Sequence, residues 1–232
     1  MQLFFSTRYD DHLLYLTDSE AEHCTRVLRH QVGDEIAVIN GMGDFFRVEI
    51  RQITKGNVQT RIMERISDWN VPFYETHLIF PYLKSRETVE WAIEKAVELG
   101  VTHLYFTPTA RSERSILKPE RVTKILVATV KQCLRGKLPE VSFCKDWQEA
   151  IAKTEGLRNK YLAYCLENQI KFVPEIFSDE AIVIAIGPEG DFTEREVDQA
   201  RAAGFQVVSL GKERLRSETA IIYTLSLIKG RR

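Results

Sequence analysis

Cysteine, proline and long apolar runs are all scarce in this 232-residue chain, and each scarcity narrows what it can be. The four cysteines, Cys24, Cys133, Cys144 and Cys165, stand far apart with no C-x-x-C pair. That speaks against a disulfide framework or a zinc ribbon and suits free thiols in a reducing cytosol. Seven prolines and twelve glycines are too few for a collagen-like or low-complexity chain. The most apolar tracts, Ala181–Gly187 and Thr219–Ile228, reach about half a membrane span or less. Met1–Arg8 lacks the charged start and long apolar core of a secretion signal. A soluble, cytoplasmic protein without a membrane partner is expected. An excess of either charge is missing too, since 32 Lys and Arg face 33 Asp and Glu for a net charge of −1. Indiscriminate coating of nucleic acid is thereby excluded, and any such partner must meet a local patch.

Familiar chemical signatures are also absent: there is no G-x-x-x-x-G-K-[ST], no G-x-S-x-G and no H-E-x-x-H. Gly41-Met42-Gly43 lacks the third glycine of a dinucleotide fingerprint and reads as a turn. His23 and His30 can share a helix face, but no carboxylate or thiol completes a metal site, so no metal is expected.

What is present is an ordinary folded composition, 44% apolar and 28% charged. Residues 1–70 hold eight basic and eleven acidic residues, a net of −3, and the remainder is +2. The first part reads as short strands, Gln2–Ser6, Glu35–Asn40, Phe45–Ile53 and Asn57–Met63, with a helix over Ser19–Leu28 opened by Asp18 or Ser19. Many short strands in so few residues predict a small β-barrel over 1–70. Over 71–232 strands alternate with helices, the pattern of a parallel sheet. Strands are expected at His77–Phe80, His103–Thr107, Tyr161–Leu166, Ile182–Ile186 and Gln206–Leu210. Helices are expected at Arg86–Leu99, Pro119–Leu134, Thr193–Ala203 and Thr219–Ile228. Thr193 with Glu196 forms a capping box, while Gly100 and Gly204 close helices.

Two regions carry candidate chemistry. Arg111–Lys137 has a net charge of +6 in 27 residues, which reads either as a solvated helix face or as a phosphate-tracking patch. The stronger signal comes from three loops at strand ends: Gly187-Pro188-Glu189-Gly190-Asp191, the turn at Gly211, and Arg214-Leu215-Arg216-Ser217-Glu218-Thr219-Ala220. Glycines there let backbone approach a ligand, and together the loops predict one composite pocket. The helix that follows is apolar on nearly every side, so it needs cover from its own domain or from a partner subunit.

These loops resemble the three cofactor-loop motifs of the RsmE family, bacterial 16S rRNA (uracil-N3) methyltransferases of the SPOUT class. Glu94-Lys95-Ala96-Val97-Glu98-Leu99-Gly100-Val101 is similar to the family's K-x-x-E-L-G-V element. Arg111–Ser115 and Gln132–Pro139 resemble its T/S-E-R-S and Q-x-x-R-x-x-L-P elements. His23, Val27-Leu28-Arg29 and Gly33-Asp34 resemble its H-x-x-x-V-L-R-x-x-x-G-D. The resemblance implies an α/β protein in which a small N-terminal PUA-like β-barrel grips rRNA and a C-terminal SPOUT domain, knotted as a trefoil, binds S-adenosylmethionine. A homodimer packed through the knot is implied as well. Three positions depart from the family pattern: Asp191 replaces the second Gly of G-P-E-G-G, Arg214 an aliphatic residue and Ser217 a Thr.

On this resemblance, Leu166, Gly187, Glu189, Gly190, Leu210, Gly211, Leu215, Ser217, Thr219 and Ala220 are expected around the cofactor. Arg216 is expected to neutralise charge developing on uracil, the structural alternative being an ion pair with Glu218 or Glu189. Glu189 and Glu218 are candidate proton acceptors, with helix capping or loop ordering as alternatives for each. Arg29, Arg111, Arg114 and Arg135 are expected to contact RNA, either 16S rRNA or the small ribosomal subunit. Two other functions fit the same residues: a SPOUT enzyme acting on tRNA ribose, and an RNA-binding protein without cofactor.

Overall fold

The computed structural model describes residues 1–113, 117–165, 170–171 and 180–230. The chain divides into two compact units, Met1–Val71 with Leu126–Leu138, and Pro72–Ile125 with Pro139–Arg232.

The first unit contains β1 (Leu3–Phe5), β2 (Leu13–Thr17), α1 (Asp18–Glu22), β3 (Glu35–Ile39), β4 (Phe45–Thr54) and β5 (Asn57–Ile66). These strands form a curled sheet in the order β1-β3-β4-β5-β2, with β1 parallel to β3 and the other neighbours antiparallel. Two register shifts between β4 and β5 bend the pair, as bulges do. Alternate strand residues point inward, so Phe4, Leu14, Leu16, Val38, Phe46, Val48 and Val58 meet in one core. The expected helix over 19–28 is α1 continued by a π-helical turn, His23–Val27. Its N-cap is the extended residue Thr17, rather than Asp18 or Ser19, and Thr17 caps without a side-chain bond. β2 was not expected: Leu13-Leu14-Tyr15-Leu16 shows no alternation of polar and apolar residues, although its burial alternates.

Leu126–Leu138 completes this unit. The Leu138 amide donates to Gly41 O at 2.8 Å, Gly43 N to Gly136 O at 3.1 Å, and Asn70 Nδ2 to Leu134 O at 2.9 Å. A Cβ on Gly136 would stand 2.1 Å from Trp69 O, so only glycine fits there. Lys131 pairs with Glu20, and Arg135 is 8% exposed.

The second unit is a parallel sheet flanked by helices. Its elements are β6 (Thr76–Pro81), α2 (Arg86–Glu98), β7 (His103–Thr107), α3 (Pro119–Gln132, which runs on into the first unit's segment), β8 (Glu140–Phe143), α4 (Trp147–Ala152), β9 (Asn159–Ala163), β10 (Ile170–Lys171), β11 (Ile182–Ala185), α5 (Glu194–Ala202), β12 (Gln206–Ser209) and α6 (Ser217–Gly230). The strand order is β10-β12-β9-β11-β6-β7-β8. β12 thus inserts between β9 and β10, which are consecutive along the chain, so the C-terminal segment enters a sheet already framed by earlier strands.

The central strands β6 and β11 are buried throughout, as expected for a sheet covered on both faces. Leu162, Val183, Phe192, Val197 and Phe205 pack with Trp147 and Ala150 of α4. Each such large side chain contributes about 1.5–3 kcal/mol by leaving water. Helix ends follow the sequence: Thr193 and Glu196 form the capping box, and Gly100 and Gly204 follow α2 and α5 with φ of +100° and +86°. α6 buries Ala220, Ile221, Thr224, Leu225 and Ile228 within the unit, whereas Thr219, Tyr223 and Ser226 stay exposed with Ile222 half-buried beside them. Its own unit therefore covers only one side of this apolar helix.

Candidate active site

Three loops, after β11, after β12 and leading into α6, enclose with the end of β9 a cleft of about 370 Å³, within the range of small-molecule sites. The first loop follows β11. A Cβ on Gly187 would stand 2.9 Å from Asp191 Oδ1 and 3.2 Å from Phe192 Cδ2, so anything larger than glycine would make the loop shift. Asp191 N donates to Pro188 O at 2.9 Å, completing a tight turn. Buried Phe192 anchors that turn against the Trp147 ring, with centroids 4.9 Å apart.

The second loop is Ser209-Leu210-Gly211. Ser209 Oγ donates to Gly211 O at 2.9 Å, and Gly211 takes φ +147°, a region open to glycine. The third leads into α6, where the Ala220 amide donates to Arg216 O at 2.8 Å. Buried Ser217 ties the third loop to the first by donating from Oγ to Gly187 O at 2.8 Å.

Gly187, Glu189, Leu210, Gly211, Leu215, Arg216, Ser217 and Ala220 all line the cleft. Gly190 lies behind it, where a Cβ would meet Arg111 Cβ at 3.0 Å. Glu218 and Thr219 sit in the first turn of α6 and are not among the lining residues. Leu166 and Arg114 lie outside the described residues. Among those described, no ion pair joins Arg216 to Glu218 or Glu189, and the Arg216 side chain is exposed at the rim. Glu189 Oε1 accepts from the Lys84 amide at 3.1 Å, so this carboxylate orders the loop after β6.

Sequence reasoning did not single out Tyr164, Cys165 and Glu213, which also line the cleft. Their only signal was adjacency to strand ends. Burial, and then the Asp191 carboxylate, push the Cys165 thiol above its usual value. Of the basic residues, Arg29 is exposed in the first unit, and Arg111 Nη1 donates to Gly190 O at 2.9 Å. Arg121 pairs with Glu90 and Lys131 with Glu20, so part of the basic stretch is neutralised locally.

A family model described as an RNA methyltransferase domain matches residues 70–229, and one described as an RNA methyltransferase PUA domain matches 16–63. The ribosomal RNA small subunit methyltransferase E of Synechocystis is 32% identical, covering 93% of this chain and 72% of its own. The chain belongs to the ribosomal RNA small subunit methyltransferase E family. A probable rRNA-methyltransferase from Porphyromonas gingivalis superposes with TM-score 0.87 at 33% identity, covering 99% of this chain and 98% of its own. The methyltransferase E of Neisseria gonorrhoeae, solved bound to S-adenosyl methionine, gives TM-score 0.82 at 28% identity and covers 100% and 98%. The fold is accordingly the α/β, SPOUT-type class with a PUA-like N-terminal part.

Within this methyltransferase E chain, the departure at Asp191 has a physical reading. The residue holds φ +60°, a conformation that glycine takes freely and aspartate tolerates better than most. Its carboxylate accepts from Phe192 N at 2.8 Å and from Cys165 N at 3.2 Å. The side chain that replaces glycine therefore links the loop after β11 to Cys165, two residues beyond β9.

Proposed function

We propose that this chain methylates N3 of a uridine in 16S rRNA, using S-adenosylmethionine bound in the three-loop cleft. The observation that carries this reading is the cleft itself, a backbone-lined cavity at parallel strand ends in a chain of the methyltransferase E family. The residues fit the cofactor: Gly187 and Gly211 line the cleft with backbone, Gly187 packed tightly on Asp191 and Phe192 of its own loop and Gly211 at a φ of +147°. Bound there, the cofactor supplies an electrophilic methyl group. Gly187, Leu210, Gly211, Leu215, Ser217 and Ala220 hold it, with Leu166, Gly190 and Thr219 as further candidate contacts.

The work left to the protein is positioning and charge. Alignment of N3 with the methyl carbon contributes roughly 7–11 kcal/mol. The uridine is turned out of any stack to expose its N3 edge. Uracil N3 carries a proton at neutral pH, and Arg216 at the rim offsets the negative charge that grows as this proton leaves. Glu189, held by the Lys84 amide, takes the proton, and Glu218 favours the start of α6 by its charge. Arg29 and Arg111 are exposed arginines offered to RNA phosphates, with Arg114 as a further contact, whereas Arg135, expected to touch RNA, is buried and leaves this set.

The partially covered α6 supports a homodimer, in which the Thr219, Ile222, Tyr223 and Ser226 side of the helix is buried by a second copy. Sedimentation of the purified protein tests it, and a monomer at micromolar concentration overturns it. The cytoplasm, where ribosomes are made, is the place of action. Among the described residues no helix is long and apolar enough to cross a membrane.

Mapping modified nucleosides in small-subunit rRNA from a deletion strain tests the reaction. Loss of 3-methyluridine, restored by the intact gene, is expected. Its persistence overturns the substrate, and calorimetry without detectable S-adenosylmethionine binding overturns the enzyme.

A further inference from the structure

Two charged side chains on the cleft wall have no part in the reaction as described so far, Asp191 in the loop after β11 and Arg214 in the loop before α6. Both stand where the family pattern has an uncharged residue, glycine at the first position and an aliphatic residue at the second. Asp191 is half-buried and held in place, because its two oxygens accept separately from Phe192 N at 2.8 Å and Cys165 N at 3.2 Å. A carboxylate offers about four acceptor positions, so about half of them stay open. Arg214 is exposed, and among the described residues it makes no hydrogen bond or ion pair. Burial raises the Cys165 thiol most, the Asp191 charge raises it further and the Arg214 charge opposes that rise, so both charges act on one stretch of the wall.

The other charges of the cleft have settings of their own. Glu189 holds the Lys84 amide, and Glu213 lies over the second loop, its Oε2 3.5 Å from where a Cβ on Gly211 would stand. Arg216 is the cation offered to the uracil. Stapling the loop to Cys165 accounts for Asp191, but it leaves an unpaired arginine beside the same cysteine without a reason. Opposite charges that share a small cleft without pairing to each other suit a ligand that carries both signs. The adenosine part of S-adenosylmethionine is uncharged at neutral pH, whereas its amino-acid end carries an ammonium and a carboxylate.

We propose that Asp191 and Arg214 bind the amino-acid end of S-adenosylmethionine, the Asp191 carboxylate taking its ammonium and the Arg214 guanidinium its carboxylate. The inference rests on the three-loop cleft being the cofactor site. It makes the pair a selector for adenosine ligands that carry an amino acid. Glycine and an aliphatic residue at these positions offer no charge, so this means of selection belongs to the present chain rather than to the family pattern.

Calorimetry on the full chain compares S-adenosylmethionine with three relatives. Decarboxylated S-adenosylmethionine keeps the ammonium and the sulfonium, S-adenosylhomocysteine keeps both amino-acid charges without the sulfonium, and methylthioadenosine keeps none of the three. Asp191→Gly should weaken every ligand that has the ammonium by about 10–100-fold and leave methylthioadenosine unchanged. Arg214→Leu, at an exposed position, should weaken S-adenosylmethionine and S-adenosylhomocysteine by about 2–5-fold and leave the other two unchanged. An equal loss for all four ligands returns Asp191 to a staple and overturns the proposal. So does an Asp191→Gly effect that vanishes with S-adenosylhomocysteine, which would place the carboxylate at the sulfonium, and so do affinities unchanged in both variants. Failure of the unaltered chain to bind S-adenosylmethionine overturns instead the cofactor reading beneath it.

Discussion

At the carboxyl ends of the seven-stranded sheet the chain makes a cleft out of loop backbone, whereas at the amino ends of the same strands it makes a polar row out of side chains. Gly187 and Gly211 define the first by what they lack, and Glu75, His77, His103 and Glu140 define the second by what they carry. The two ends should therefore fail differently. Added bulk closes the cleft, and added charge disrupts the row.

Four measurements can break or sharpen that contrast. Arg216 is an exception at the cleft, a side chain with a chemical part. Arg216→Ala should lower turnover on small-subunit rRNA by about 100–1,000-fold, with cofactor affinity by calorimetry little changed. An equal loss in both would return Arg216 to a structural role.

The row should respond to acid. The folded His77, which burial pushes down, titrates at about 4 against 6.5 for a free ring, so between these values the unfolded chain binds more protons. Stability should fall as pH drops through that window, by at most about 1.4 kcal/mol per pH unit from this group. His77→Gln should flatten the profile measured by denaturant unfolding, and an unchanged slope would assign the acid sensitivity elsewhere.

Gly187→Ala tests bulk at the cleft. Its methyl group would stand 2.9 Å from Asp191 Oδ1, and relief of such overpacking costs about 1–3 kcal/mol. If the loop shifts to relieve it, that corresponds to a roughly 5–150-fold weaker Kd for S-adenosylmethionine, measured by calorimetry.

The smallest effect is a protection. A thiol reagent should reach exposed Cys165 first, faster as pH rises because its thiol is pushed up, and more slowly when cofactor fills the cleft. Cys24 and Cys144, buried and pushed up to about 11, should stay unmodified. Labelling of Cys165 at one rate with and without cofactor would detach the cofactor from this cleft.

The same contrast explains what could be read from residues alone. A backbone-built site announces itself locally, because a close approach at 187 and a positive φ at 211 demand glycine, and those loops were legible for that reason. The long alternating helices and strands of the second unit were legible too, often to within a residue or two, as His103–Thr107 and Arg86–Glu98 illustrate. β8 and β10 have four and two residues, too short for any period to emerge. The row at the amino ends was not legible at all. Strand register assembles residues from three distant stretches, and no spacing along the chain links His77, His103 and Glu140. Asp191 was visible as a departure, but its bond to the Cys165 amide depends on a neighbouring strand.

The hydrogen bonds from Gly41, Gly43 and Asn70 to residues 134–138 have a further consequence in time rather than in space. During synthesis, the curled sheet of Leu3–Ile66 leaves the ribosome long before the segment that completes its unit. Gly41, Gly43 and Asn70 must wait for those partners until β6, α2, β7 and all of α3 have been made. Translation of the second unit's first stretch, Pro72–Ile125, is thus a precondition for finishing the first unit, and a fragment cut at residue 71 would be born without its last piece.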